Sequence, residues 1–139
     1  MTVPVPLPDT NDPVVAAHWA AASEGRLSMQ QCASCGYVRW PAAFSCPDCL
    51  AEGGTWTTLS GRGTIWSLAV YQEPLHPAFE LDCPYAVGLI ELEEGPVMYA
   101  RLADAPDILA CGLPVEACFF ELAPGTSVVR FRLEAREGD

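Results

Sequence analysis

Two pairs of cysteines carry the clearest chemical signal in this sequence. Cys32 and Cys35 form one Cys-x-x-Cys pair, Cys46 and Cys49 form a second, and ten residues separate the pairs. Each pair places two thiolates on one tight turn, so two such turns complete a tetrahedral site for a single ion. Gly36 supports this prediction, because the residue after such a turn often needs a left-handed backbone, which glycine adopts without strain.

Redox chemistry is the alternative use of such a pair. A thioredoxin-like dithiol needs a β-α-β setting and a helix N-terminus that lowers the thiol pKa, and neither pair has those surroundings in the sequence. Iron also suits four thiolates, but zinc is the usual ion of a four-cysteine ribbon. Four sulfur ligands leave no open coordination position, so the ion cannot activate water. We therefore predict one structural Zn²⁺ per chain, held in a zinc ribbon.

The rest of the sequence offers no catalytic group of residues. It contains no Gly-x-Ser-x-Gly elbow, no nucleotide-binding glycine motif before a helix and no paired acid and base. The remaining cysteines, Cys83, Cys111 and Cys118, share no spacing, and most such lone cysteines are small buried hydrophobes. Cys83 lies in a loop and is the candidate for reactivity. We therefore do not expect the chain to be an enzyme in its own right.

Arg62 is a candidate ligand-binding residue because it lies between Gly61 and Gly63. The ordinary explanation of this tripeptide is a turn where one structural unit joins the next. The functional alternative is that the two glycines let a ligand approach the backbone, so that the Arg62 guanidinium contacts a phosphate.

The charge of the chain excludes one class of partner. Eighteen acidic residues outnumber seven basic ones, all of them arginine, and the net charge is -11. Nucleic-acid phosphates are held by clustered Lys and Arg, so this surface would repel a polyanion. We find neither a membrane-spanning apolar run nor a secretory signal, and we expect a cytoplasmic protein without a membrane partner.

One helix and five strands are predicted, so the fold class is mainly β. After an irregular arm over residues 1–11, Pro13 is expected to begin a helix that Gly25 ends, with Val15, Trp19 and Ala22 as a docking stripe. Five strand-like segments follow Trp56, at residues 60–71, 84–92, 96–103, 114–122 and 126–135. Closure into a five-stranded barrel protects their edges, although the pattern alone also allows an SH3-like barrel or a sandwich.

The connection from Glu73 to Pro84 is long for a link between adjacent strands. It carries Leu75, Phe79 and Leu81 without the period of a strand. Apolar residues on such a loop either contact a partner or cover the mouth of the barrel. Together with Trp19, these three residues are our candidates for partner contact.

Several motifs in order resemble the DUF35 family of acyl-CoA-associated proteins. They are the stretch from Trp19 to Leu27, the two cysteine pairs with Trp-Pro between them, LSGRGTIWS at residues 59–67 and PYAVGLIEL at residues 84–92. The resemblance spans about residues 14–122. It implies an N-terminal arm and helix over residues 1–30, a rubredoxin-like zinc ribbon over 31–55 and an OB-fold barrel over 56–139.

The resemblance also implies a function. Such proteins act beside thiolase-fold enzymes, including thiolases, acyltransferases and the lipid-transfer-protein-like aldolases of steroid side-chain degradation, and the partner carries the catalytic residues. We therefore expect an accessory subunit that stabilises such an enzyme and aids channelling of its CoA thioester. The alternative is an independent acyl-CoA carrier, with Arg39 or Arg62 near the phosphates.

Overall fold

The computed structural model describes residues 4–134 and places one helix, α1, at Ala16–Ser23. The predicted start at Pro13 is wrong by one turn of chain. The carbonyl oxygen of Asp12 accepts hydrogen bonds from the N–H groups of Val15 and Ala16, so residues 12–15 form a separate turn before the helix. Within residues 4–134, no helix is long and apolar enough to span a bilayer.

The end of α1 follows the prediction. Gly25 adopts a left-handed backbone with φ of +78°. The N–H groups of Gly25 and Arg26 donate to the carbonyl oxygens of Ala22 and Ala21, which satisfies the last turn of the helix. Glycine is the residue that takes this conformation most easily, and the sequence signal was therefore reliable.

The buried face of α1 differs from the predicted stripe. His18, Ala21 and Ala22 are buried, whereas Trp19 is half-buried and Val15 precedes the helix. No contact of His18 could be predicted from the sequence. In the structure its ring packs on Trp40, with 4.6 Å between ring centroids, and its Nδ1 lies 3.2 Å from the Ser28 carbonyl oxygen.

Three short strands form the sheet of the ribbon. They are β1 at Ser28–Gln31, β2 at Val38–Arg39 and β3 at Thr55–Thr58, in the antiparallel order β2-β1-β3. The first cysteine pair lies in the turn between β1 and β2, and the second lies between β2 and β3. The segment between the pairs therefore does not form a hairpin of its own, because its strand β2 pairs back onto β1.

The five predicted strands are confirmed and form a closed barrel. They are β4 at Arg62–Tyr71, β5 at Tyr85–Leu92, β6 at Val97–Leu102, β7 at Pro114–Ala123 and β8 at Thr126–Leu133. Their order around the barrel is β4-β5-β6-β8-β7, and antiparallel pairing of β4 with β7 closes it. Only one residue pair, Leu102 and Phe131, joins β6 to β8.

A single apolar core joins the ribbon to the barrel. Barrel residues such as Ile65, Ile90 and Phe131 are fully buried, and Leu27 and Met29 from the ribbon side belong to the same cluster. The ribbon thus packs against the barrel and shares its apolar core.

Candidate functional site: a metal centre and an apolar cavity

The four cysteine sulfurs converge at one point. Cys32 Sγ lies 3.6 Å from Cys49 Sγ, Cys35 Sγ lies 3.6 Å from Cys46 Sγ, and all four sulfurs lie within 4.8 Å of one another. A tetrahedral ion with metal–sulfur bonds of about 2.3 Å requires sulfur–sulfur separations of about 3.8 Å. The donor set and its spacing therefore suit one metal ion with a closed shell of four thiolates.

The two cysteine turns have the same backbone geometry. The N–H of Gly36 donates to the Cys32 carbonyl oxygen at 2.9 Å, and the N–H of Leu50 donates to the Cys46 carbonyl oxygen at 2.8 Å. Gly36 has φ of +79° and Leu50 has φ of +66°. Sequence reasoning missed Leu50, since leucine does not favour this conformation. Its position directly after the second pair was the only available signal.

Backbone donors stabilise thiolate at the first turn. The N–H groups of Cys35 and Ser34 lie 3.5 and 3.4 Å from Cys32 Sγ. These bonds lower the pKa of the Cys32 thiol to about 6. The N–H of Asp48 makes a similar contact, at 3.4 Å, with Cys46 Sγ. Each turn thus presents one sulfur whose ionised form is held by the backbone, as a metal ligand requires.

Arg39 lies inside the ribbon, where only 2% of the residue is exposed. Its Nε donates to Gln30 Oε1 at 2.9 Å, and its Nη2 donates to the carbonyl oxygens of Ala43 and Gly53 at 2.9 and 2.8 Å. Those carbonyls flank the second cysteine pair. The placement of Arg39 therefore favours a structural role, tying the second turn to β1 and β2, over the predicted phosphate contact.

Arg62 is exposed at the start of β4. Its N–H donates to Ser60 Oγ, and its carbonyl oxygen accepts from the N–H of Glu93. The cleft beside it also contains Glu91, Glu93 and Glu134. These carboxylates would repel a phosphate. The surroundings of Arg62 therefore favour the interpretation as a structural turn over that as a phosphate-binding site.

Three of the four candidate partner residues meet at one cavity. Trp19, Leu75 and Phe79 line an apolar space of about 310 Å³ between α1 and the barrel. Leu81 does not line it and is 98% exposed on the 3-10 helix Pro77–Asp82. Phe79 of the long connection therefore covers the barrel side, whereas partner contact by the exposed Leu81 stays a prediction.

The other cysteines only partly follow the prediction. Cys83 and Cys118 are half-buried, but Cys111 is exposed in the turn before β7. Burial therefore does not account for Cys111.

Comparison with known proteins supports both units. Family models match residues 19–53 as the ChsH2 rubredoxin-like zinc ribbon domain and residues 56–120 as the ChsH2 C-terminal OB-fold domain. The chain is 37% identical, over 84% of its length, to a probable enoyl-CoA hydratase alpha subunit of Thermomonospora curvata, but it spans only 36% of that protein.

Two shorter relatives match over most of their own length. A DUF35 domain-containing scaffold protein of Methanothermobacter thermautotrophicus is 35% identical, with 67% of this chain and 71% of the relative covered. The benzoylsuccinyl-CoA thiolase subunit BbsA of Thauera aromatica is 30% identical, with coverage of 69% and 67%.

A solved structure agrees with the sequence relatives. A chain of the Ltp2-ChsH2(DUF35) aldolase superposes with a TM-score of 0.80 at 34% identity, covering 91% of this chain and 98% of that one. The four-cysteine ribbon and the closed five-stranded barrel agree with these similarities. The chain therefore belongs to the DUF35 family of zinc-ribbon and OB-fold proteins.

Proposed function

We propose that this chain is a non-catalytic accessory subunit of a thiolase-fold enzyme that acts on an acyl-CoA. The observation that carries the proposal is the match to nearly the whole of a chain in the Ltp2-ChsH2(DUF35) aldolase. The relative BbsA is likewise named as a subunit of a CoA thiolase. The reaction of the partner, whether thiolysis, acyl transfer or aldol cleavage, follows from the partner's own active site.

The geometry of this chain supports a structural contribution. An ion held by these four thiolates would have no coordination position left for substrate. Zinc is the metal we propose, one per chain, because it accepts a tetrahedral set of four thiolates without geometric strain. We propose the cytoplasm, because a chain of seven cysteines with four in one metal site suits a reducing compartment.

The surface that we propose for partner contact centres on the connection between β4 and β5. Leu75 is 69% exposed and Leu81 is 98% exposed, and both lie beside the half-buried Phe79. Apolar side chains presented together on a loop are what a partner interface buries. Trp19 of α1 extends this surface across the cavity.

Exposed Leu81 provides the test. Leu81→Asp places a charge at a side chain that contributes nothing to the fold, so the variant should fold normally and lose the partner enzyme. Ile108→Asp, at another exposed apolar position on the β6–β7 connection, is the matched control. Each tagged variant is purified from its native host, and the amount of co-purifying thiolase-fold protein is measured by mass spectrometry. If Leu81→Asp recovers as much thiolase-fold protein as the wild type does, this surface is excluded.

An independent acyl-CoA carrier remains the competing proposal. It required Arg39 or Arg62 near the phosphates, but Arg39 is buried and Arg62 faces carboxylates. Calorimetric titration of the isolated protein with free CoA separates the two proposals, because only the carrier recognises the phosphates of CoA without its partner enzyme.

A further inference from the structure

The apolar cavity opens where two barrel strands separate. Strands β6 and β8 pair only at Leu102 and Phe131, and their preceding residues diverge. Met98, Ala100 and Val129 form a buried floor between them, and α1 and the β4–β5 connection supply the walls. An opening that leads to buried apolar side chains is the usual form of a small-molecule site.

The charge around this cavity is unlike that of the rest of the chain. The sequence has 18 acidic residues and seven arginines, yet no acidic residue lines the cavity and two arginines do, Arg101 and Arg130. Arg101 pairs with Asp82 at 3.1 Å and lies over the Tyr85 ring. With Asp82 paired to Arg101, the two arginines that line the cavity leave a local net charge of about +1.

Of the two cavity arginines, Arg130 is the one without a carboxylate partner in the part of the chain that the structure describes. Within residues 4–134 it takes part in no ion pair, and its guanidinium lies 3.8 Å from the centre of the Phe120 ring. Burial, followed by the nearby charge of Arg101, lowers the pKa of Arg130. A half-buried cation beside a like charge is stabilised by an anion that enters the same space.

We infer that this cavity binds an apolar molecule with a single anionic group, whose apolar part contacts Met98, Ala100 and Val129 and whose anion contacts Arg130. The volume of about 310 Å³ is at the lower end for small-molecule sites and holds roughly ten groups the size of a water or a methylene. The inference goes beyond the proposed function and does not depend on it, because the site lies within one chain.

Decanoate is a suitable probe, since it joins one carboxylate to a chain of matching size. The metal-loaded full-length protein is titrated with decanoate below its micelle concentration, and binding is followed by calorimetry and by tryptophan fluorescence, to which Trp19 and Trp40 of the cavity contribute. We expect one decanoate per chain and much weaker binding of decyltrimethylammonium. The net charge of -11 favours the cation, so preference for the anion must come from a local site.

Arg130→Gln tests the anion contact. Loss of a charge-assisted hydrogen bond should weaken decanoate binding at least about tenfold. Arg132→Gln is the matched control, because Arg132 lies on the same strand but is exposed and pairs with Glu116 at 3.0 Å. It should bind like the wild type. Circular dichroism verifies that both variants are folded.

The head group is identified by a second probe. Decyl phosphate binding more tightly than decanoate would indicate a phosphate ligand, and the reverse would indicate a carboxylate, while either result supports an anionic amphiphile. The inference is overturned if neither anion binds, if the cation binds as well as the anions, or if Arg130→Gln and Arg132→Gln bind equally.

Discussion

Leu50 holds a backbone conformation that its side chain disfavours. It has φ of +66°, whereas the equivalent position after the first cysteine pair is Gly36, with φ of +79°. A Cβ atom in the left-handed region is destabilising by about 1–2 kcal/mol. Replacing Leu50 by glycine should therefore relieve strain at the second turn of the metal site.

The magnitude follows from a comparison with alanine at the same position. Glycine removes the backbone strain of about 1–2 kcal/mol. It also makes the unfolded chain more flexible, which lowers the free energy of unfolding by about 0.4–1 kcal/mol. Leu50→Gly should thus be more stable than Leu50→Ala by roughly 0.8 kcal/mol, or about fourfold in an equilibrium constant. Leu50 is 77% exposed, and both variants lose the same small amount of leucine packing.

Metal affinity is the assay, because metal binding and folding of such a ribbon are coupled. Chelator competition is measured for both Leu50 variants and for Gly36→Ala, which should lose a similar amount. The space around a Cβ at Gly36 is open, with no atom within 4 Å, so only its backbone angle opposes alanine. At an ordinary position glycine is less stable than alanine. If Leu50→Ala binds metal as well as Leu50→Gly or better, the reasoning is refuted.

Three further predictions concern stability in denaturant. Arg39→Met should lose about 3 kcal/mol, because the buried Gln30 Oε1 and the part-buried carbonyl oxygens of Ala43 and Gly53 lose their donor. Arg132→Met at the exposed ion pair should lose under about 1 kcal/mol. Gly63→Ala should lose about 1–3 kcal/mol, since its Cβ would lie 2.7 Å from the Glu91 carbonyl oxygen. Burial lowers the pKa of His18, so the unfolded chain binds its proton more readily. Stability should therefore be steady above pH 6.5 and fall as the pH decreases below it.

Each of these predictions has an opposing result. If Arg39→Met and Arg132→Met lose the same free energy of unfolding, the buried guanidinium of Arg39 stabilises the fold no more than an exposed ion pair does. A Gly63→Ala variant as stable as the wild type would mean that β4 and β5 can separate freely. If His18→Phe shows the same decline between pH 7.5 and 5.5 as the wild type, the decline arises from other groups.

The elements that sequence reasoning located well are those with strong local signals. Strand β8 alternates apolar and charged residues, and Val129 and Phe131 are buried as that alternation predicts. Gly25 marks the end of α1 because few other residues accept its backbone angle. The cysteine pairs identify the metal centre because tight turns fix the distance between their thiolates.

The features that were missed depend on contacts between distant residues. Arg39 was considered a ligand-binding residue, but its acceptors come from residues 30, 43 and 53, whose proximity only the folded ribbon creates. His18 becomes a core residue through Trp40 and Ser28. The cavity with Arg130 arises from the divergence of β6 and β8, which no periodicity in either strand reveals.

A chain that works as a subunit of a thiolase-fold enzyme should be recovered together with that enzyme. The most direct measurement is purification of the tagged chain from its native host, with mass spectrometry and metal analysis of the same sample. We expect a thiolase-fold protein in near-equal amount, together with one zinc per chain. A zinc-loaded chain that is recovered alone would contradict the proposed function.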